Sequence, residues 1–140
     1  MILGIGTDLA SIDRISDILK EQGERFIARC FAPEEREKVE KSAKGNESLR
    51  AAGYARRWAA KEAAAKALGL GIREDVFLKD IVVVNDEAGK PSLILRGGAK
   101  ERLTVLTPES MTARIYVSLS DEPPMAAAFV VVEAVGRENA

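Results

Sequence analysis

The sequence predicts an α+β fold, and three observations carry that reading. An apolar segment, Ile2-Leu3-Gly4-Ile5-Gly6-Thr7, opens the chain. Helical periodicity and an alanine-rich stretch follow up to Leu68. Beyond Gly69 the period changes to short apolar runs separated by turn residues. One strand, a run of helices, and then antiparallel hairpins with a helix between them is the order of an α+β protein. A doubly wound protein would alternate strand and helix throughout. With 140 residues, 46% of them hydrophobic, the chain is read as one domain, 1–140, with a real core.

Each element has a local cause. Ile2 to Thr7 reads as a buried strand that Asp8 ends. Ser11 is a helix N-cap, and Ile12, Ile15, Ile18 and Leu19 share one face of a helix running to Gln22. Gly23 stops it. Glu24 to Phe31 forms a second short helix, and Pro33 suits the first turn of a third, Glu34 to Lys41, charged nearly all round. Ser42 to Gly53, with Gly45-Asn46 inside it, reads as a loop. The long helix occupies Ala52 to Leu68, because alanine has the highest helix propensity and Gly69 is a natural terminator. Lys79 to Asn85 and Ser92 to Arg96 form a hairpin around Asp86-Glu87-Ala88-Gly89-Lys90-Pro91. Gly97-Gly98 opens a short helix with Leu103 and Leu106 facing inward. Ala113 to Ser120 and Met125 to Glu133 form a second hairpin around Asp121-Glu122-Pro123-Pro124.

Composition excludes several chemistries. The chain has no histidine, so Ser-His-Asp triads and histidine metal sites are ruled out. Cys30 is the single cysteine, which rules out an intrachain disulfide and a cysteine-rich zinc site. Its neighbours Phe26, Ile27 and Phe31 mark it as a core residue. Net charge is −1, but from Arg14 to Arg73 fourteen Lys and Arg face nine Asp and Glu. That basic half calls for an anionic partner. No basic leader precedes the first apolar segment and no apolar run has the length of a membrane span, so a cytoplasmic protein is expected.

The chemistry concentrates in Arg57-Trp58-Ala59-Ala60-Lys61-Glu62-Ala63-Ala64-Ala65-Lys66-Ala67-Leu68-Gly69. Glu62 and Lys66 are four apart and project from one side of the helix. A carboxylate and an ammonium on one stripe can hold Mg²⁺ and a phosphate side by side. Asp8 can add a second carboxylate if the first strand packs beside this helix. Taken singly, each residue has a plainer explanation. Asp8 would be a turn carboxylate, Glu62 and Lys66 an exposed ion pair, Arg56-Arg57 a solvated pair, and Gly89-Lys90-Pro91 ordinary hairpin chemistry. No Walker A sequence and no paired-glycine dinucleotide fingerprint is present.

Together these blocks resemble the holo-acyl-carrier-protein synthases, small bacterial phosphopantetheinyl transferases. The resemblance rests on Gly4-Ile5-Gly6-Thr7-Asp8 followed by Arg14, on Arg25-Phe26, and on Tyr54 to Gly69 with its specific Trp-x-x-Lys-Glu-Ala core. It continues in Asn85 to Pro91 and in Val117-Ser118-Leu119-Ser120-Asp121-Glu122. Three departures stand out. Asp121 occupies a place where many relatives have histidine, the Lys44 to Ala52 stretch is longer than usual, and Trp58 replaces the commoner phenylalanine.

The resemblance implies the phosphopantetheinyl transferase fold, a mostly antiparallel sheet packed with a long central helix and short helices. It implies a transferase of fatty acid biosynthesis and lipid metabolism. Such an enzyme moves 4′-phosphopantetheine from coenzyme A to a serine of apo-acyl carrier protein and releases adenosine 3′,5′-bisphosphate. Mg²⁺ is the implied cofactor, on Asp8 and Glu62. Glu62 and Lys66 are the implied catalytic pair, with Glu62 taking the serine proton directly or through water. Arg57, Lys66, Gly69, Lys90 and Pro91 are the implied coenzyme A contacts, and Arg14, Arg25 and Phe26 the implied carrier-protein face. A homotrimer with sites between subunits is implied as well, with no nucleic acid or membrane partner. Two other readings of the same residues stay open: a non-catalytic basic α+β module that binds an acidic protein, and another Mg-dependent phosphohydrolase.

Overall fold

The computed structural model describes residues 1–70 and 78–137. Residues 71–77, where the sequence period changes, lie outside the described residues. The order is β1 (Ile2–Ser11), α1 (Ile12–Gln22), α2 (Glu24–Cys30), α3 (Pro33–Ala43), α4 (Glu47–Ala67), a single helical turn at Leu78–Asp80, β2 (Ile81–Asn85), β3 (Pro91–Leu95), α5 (Gly97–Leu106), β4 (Met111–Glu122) and β5 (Met125–Gly136). Two antiparallel sheets result, one ordered β1-β5-β4 and the other the β2-β3 hairpin. This is the expected α+β architecture, a mostly antiparallel sheet around a long central helix.

Helix α4 lies on one face of the three-stranded sheet. The contact depends on small residues from both sides. A Cβ on Gly4 would sit 1.9 Å from the Ala67 carbonyl oxygen, and one on Gly6 would sit 1.8 Å from that of Ala63. Glycine at these places lets the strand backbone touch the helix backbone. On the helix side Ala59, Ala60 and Ala63 are fully buried. Side chains alternate along a strand, so Gly4, Gly6 and Asp8 share the face turned towards α4. The close approach of two glycines therefore delivers the third residue, a carboxylate, to the helix.

Beyond the glycine contact the core is aromatic. Phe26 stacks on Trp58 with centroids 5.6 Å apart, and Phe31 meets Tyr54 at 4.8 Å. Cys30 is buried in this group as anticipated, and burial pushes its thiol pKa up.

Two boundaries and the burial of one helix differ from the sequence reading, each for a physical reason. Asp8 does not end β1, because β5 offers an unbroken partner from Thr7↔Phe129 to Ser11↔Met125. The long helix begins at Glu47 rather than Ala52. Lys44 and Gly45 turn the chain with positive φ, and the Asn46 side chain accepts the Leu49 N–H at 3.0 Å as an N-cap. Ser42 to Gly53 is thus the end of α3, a tight turn and the first two turns of α4, not a long loop. Helix α3 is not solvated all round, since Glu35, Val39 and Ala43 form a buried stripe.

Candidate active site

Asp8, Glu62 and Lys66 meet where β1 crosses the C-terminal half of α4. The Lys66 ammonium donates to Asp8 Oδ1 at 3.1 Å and to the Thr7 carbonyl at 2.9 Å. The plain i,i+4 pairing of Lys66 with Glu62 is therefore replaced by a bond between two elements. Asp8 is largely enclosed, with 17% of its side chain exposed, whereas Lys66 keeps 55%. Glu62 is half-buried. Its pKa is raised above the ordinary carboxylate value, first by burial and second by the negative charge of Asp8, with Lys66 opposing.

That like-charge strain bears on metal binding. Two carboxylates close enough to raise a pKa are held together with a single ammonium between the elements. A divalent cation relieves such repulsion, and Mg²⁺ needs only one or two protein carboxylates because it keeps waters and takes phosphate oxygens. Among the described residues no cluster of three or more Asp, Glu, Cys or His is gathered, so two carboxylates are the donor set on offer. The residues fit a hydrated Mg²⁺ shared with a phosphorylated ligand.

A second feature lies further towards the N-terminus of α4. Arg57 is 6% exposed. Its guanidinium donates to the Gly53 carbonyl at 3.3 Å and to Asn85 Oδ1 at 3.2 Å, while its buried Nε has no partner among the described residues. Burial lowers its pKa. A cavity of about 190 Å³ opens beside it, lined by Lys38, Ser42, Arg56, Arg57, Asn85 and Leu119 among others, and none of its lining residues is a carboxylate. An under-bonded buried cation beside two further cations is suited to a phosphate.

Asn85 also ties this cavity to the β2–β3 turn, donating to the Gly89 carbonyl at 3.1 Å. Lys90 is exposed on that turn, its backbone N–H bonded to Asp86, and Pro91 begins β3. Gly69 has φ 68° just past α4, and the Arg102 guanidinium donates to the neighbouring Leu68 carbonyl at 3.0 Å. Gly69 and Lys90 are thus exposed on turns, and Pro91 is partly exposed at the start of β3.

Arg14 and Arg25, expected on a carrier-protein face, are exposed on α1 and α2. Phe26 is not. It is 1% exposed and packed between Phe31 and Trp58, so its placement on that face is corrected to a core role that supports α2 from beneath. Sequence reasoning also left out Lys38 and Asn85, and gave Arg56 no role. Asn85 stood inside a motif block, but neither its link to Arg57 nor the cavity has any local signature.

A family model for the 4′-phosphopantetheinyl transferase superfamily matches residues 4–127. The chain belongs to this superfamily. Among its relatives, the holo-[acyl-carrier-protein] synthase of Rhodopseudomonas palustris (strain TIE-1) is 55% identical over 135 residues, covering 96% of this chain and 92% of the relative. That of Beijerinckia indica is 55% identical over 138 residues, covering 99% and 95%. The same architecture occurs in the holo-ACP synthase of Plasmodium yoelii, with TM-score 0.77 and 31% identity over 99% of this chain and 98% of that one. It also occurs in the Helicobacter pylori holo-[acyl-carrier-protein] synthase in complex with coenzyme A, with TM-score 0.73 and 28% identity over 92% and 99%. This transferase-family chain therefore shares both sequence and fold with synthases along nearly its whole length.

Proposed function

We propose that the protein transfers 4′-phosphopantetheine from coenzyme A to a serine hydroxyl of apo-acyl carrier protein, releasing adenosine 3′,5′-bisphosphate, in fatty acid biosynthesis. The observation that carries the reading is the meeting of Asp8, Glu62 and Lys66 across the glycine-lined contact of β1 with α4. Asp8 and Glu62 would hold Mg²⁺, which when bound neutralises pyrophosphate oxygens. Lys66, with 55% of its side chain exposed, supplies positive charge to the same phosphates. Phosphoryl transfer needs such charge compensation and in-line placement more than covalent help. Glu62 is the group to take the serine proton, directly or through water.

Arg57 and its cavity are assigned to coenzyme A phosphate, with Gly69, Lys90 and Pro91 as further coenzyme A contacts. Arg14 and Arg25 are assigned to the acidic carrier protein, whose charge matches the basic half of the chain. The chain is read as one domain, 1–140, acting in the cytoplasm; no described helix is long and apolar enough to cross a membrane. The sheet face turned away from α4 exposes Ile5 (61%), Leu9 (67%), Tyr116 (48%) and Phe129 (47%). Such a face supports burial against further copies of the chain, in keeping with a homotrimer in which the Gly-Lys-Pro turn serves a neighbour's site.

One incubation tests the reading. Apo-carrier protein, coenzyme A and Mg²⁺ are mixed with the protein, and the carrier is weighed by mass spectrometry. A mass gain of one phosphopantetheine is the expected result. Binding without modification, or pyrophosphate cleavage without transfer, would point to the basic binding module or to the phosphohydrolase instead.

A further inference from the structure

Asp121 is the acidic residue that the cavity beside Arg57 does not itself contain. It lies near the end of β4, on the same strand face as Leu119, which lines the cavity. Its Oδ1 accepts from Arg56 Nη1 at 3.0 Å, and the two side chains are 31% and 33% exposed. Arg56 also lines the cavity, next to Arg57 and Lys38. Three cations thus line the cavity, and the Asp121 carboxylate at its edge holds one of them, while the buried Glu35, whose charge also acts on Arg57, is paired with Lys61. Arg57 cannot relax towards that carboxylate, because it is buried and bonded to Gly53 and Asn85.

We propose that Asp121 is an affinity-limiting counter-charge: it competes with a ligand phosphate for Arg56 and so keeps the nucleotide product from binding too tightly. The inference rests on the reading of this cavity as a coenzyme A phosphate site. Its logic is electrostatic. A phosphate entering beside Arg57 must share Arg56 with Asp121, and the fixed carboxylate also repels it. A pair that is one-third exposed can exchange partners with little loss, because surface ion pairs are weak. A buried pair could not serve in this way. The product must leave once per turnover, and binding a reactant and its leaving group uniformly tightly does not raise turnover.

Isothermal titration of adenosine 3′,5′-bisphosphate into the full chain tests this. Asp121→Asn should bind the bisphosphate about 3- to 10-fold more tightly than wild type, the size expected for one partly screened charge. That advantage should shrink as salt is raised. Asp121→Glu, which keeps the charge, should stay near wild type. Product inhibition of the Asp121→Asn enzyme should strengthen in parallel. Lys38→Ala, an exposed change on α3, and Arg57→Met test the underlying site, and both should weaken binding. Equal or weaker binding by Asp121→Asn, with Lys38→Ala and Arg57→Met weakened, would overturn the counter-charge while leaving the site in place. Wild-type affinity in both Lys38→Ala and Arg57→Met would remove the site, and the counter-charge with it. Thermal melting of each variant separates these outcomes from loss of the fold.

Discussion

Lys61 and Lys66 stand on the same helix, flanked by the same alanines, yet they occupy opposite environments. Lys61 is fully buried. Its ammonium donates to Glu35 Oε1 at 2.5 Å, to the Leu78 carbonyl at 2.9 Å and to the Ile81 carbonyl. Glu35 in turn accepts the Ala32 and Val83 backbone N–H groups. Burial pulls the Lys61 pKa down, and Glu35 opposes that. This is a closed network in which every bond joins α3 or its N-cap Ala32, α4, the Leu78–Asp80 turn or β2. Lys66 keeps half its side chain in water and, among the described residues, bonds only to β1. The difference teaches that a lysine with all its donors satisfied inside the protein fixes architecture. One that is half free, beside two carboxylates, is available for chemistry.

The sharpest way to break this contrast is Lys61→Met. It strands Glu35 as an unpaired buried carboxylate, and urea unfolding should show a loss of about 3–5 kcal/mol. A loss below about 1 kcal/mol would mean that Lys61 is not an architectural residue. Asp8→Ala should do the reverse. Transfer measured by carrier mass gain should drop by about 10²- to 10³-fold, the scale of losing an electrostatic stabiliser, with the melting temperature nearly unchanged. Near-normal turnover would end the role of Asp8.

Gly6→Ala probes what brings the two sides together. Its new Cβ meets backbone oxygen rather than a flexible side chain, so β1 must move. A cost of about 1–3 kcal/mol is expected, along with lower turnover as Asp8 shifts from Lys66. Lys66→Ala should reduce kcat/KM by about tenfold, near 1.4 kcal/mol, and leave stability within about 1 kcal/mol, as for a surface pair. An unchanged kcat/KM would make it an ordinary ion-pair partner.

Glu62→Gln yields the smallest stability effect and the clearest sign. The folded pKa of Glu62 lies above its ordinary value of 4.5. The folded state therefore holds that proton more tightly than the unfolded chain. Its favourable contribution is present at low pH and lost as pH rises through the folded pKa. At pH 7 with chelator present, Glu62→Gln should thus melt slightly above wild type, and in a separate assay with Mg²⁺ it should lose transfer. A fall in melting temperature there would contradict the like-charge strain beside Asp8.

Much of the fold could be read from local chemistry. Ser11 caps α1, its side chain accepting the Arg14 N–H at 3.2 Å, and Gly23 ends the helix at φ 52°. Both hairpins are legible because turn residues separate apolar runs. The start of α4 was not, since Asn46 is a cap only if the helix continues through Leu49 and Arg50, residues that read equally well as loop. Phe26 misled because an aromatic beside an arginine looks the same in sequence whether it faces a partner or the core.

The sequence by itself determined the element types, the alanine-rich helix, the absence of histidine chemistry and the presence of Asp8, Glu62 and Lys66 in a recognisable order. Tertiary structure alone decided which charges are spent internally. It buried Glu35 with Lys61, left Arg57 under-bonded beside a cavity, and set Asp121 against Arg56. The physical reason is that helix and strand periods follow from neighbours along the chain. Solvation and charge pairing depend instead on which distant backbone comes close, and here that depended on two glycines having no side chain.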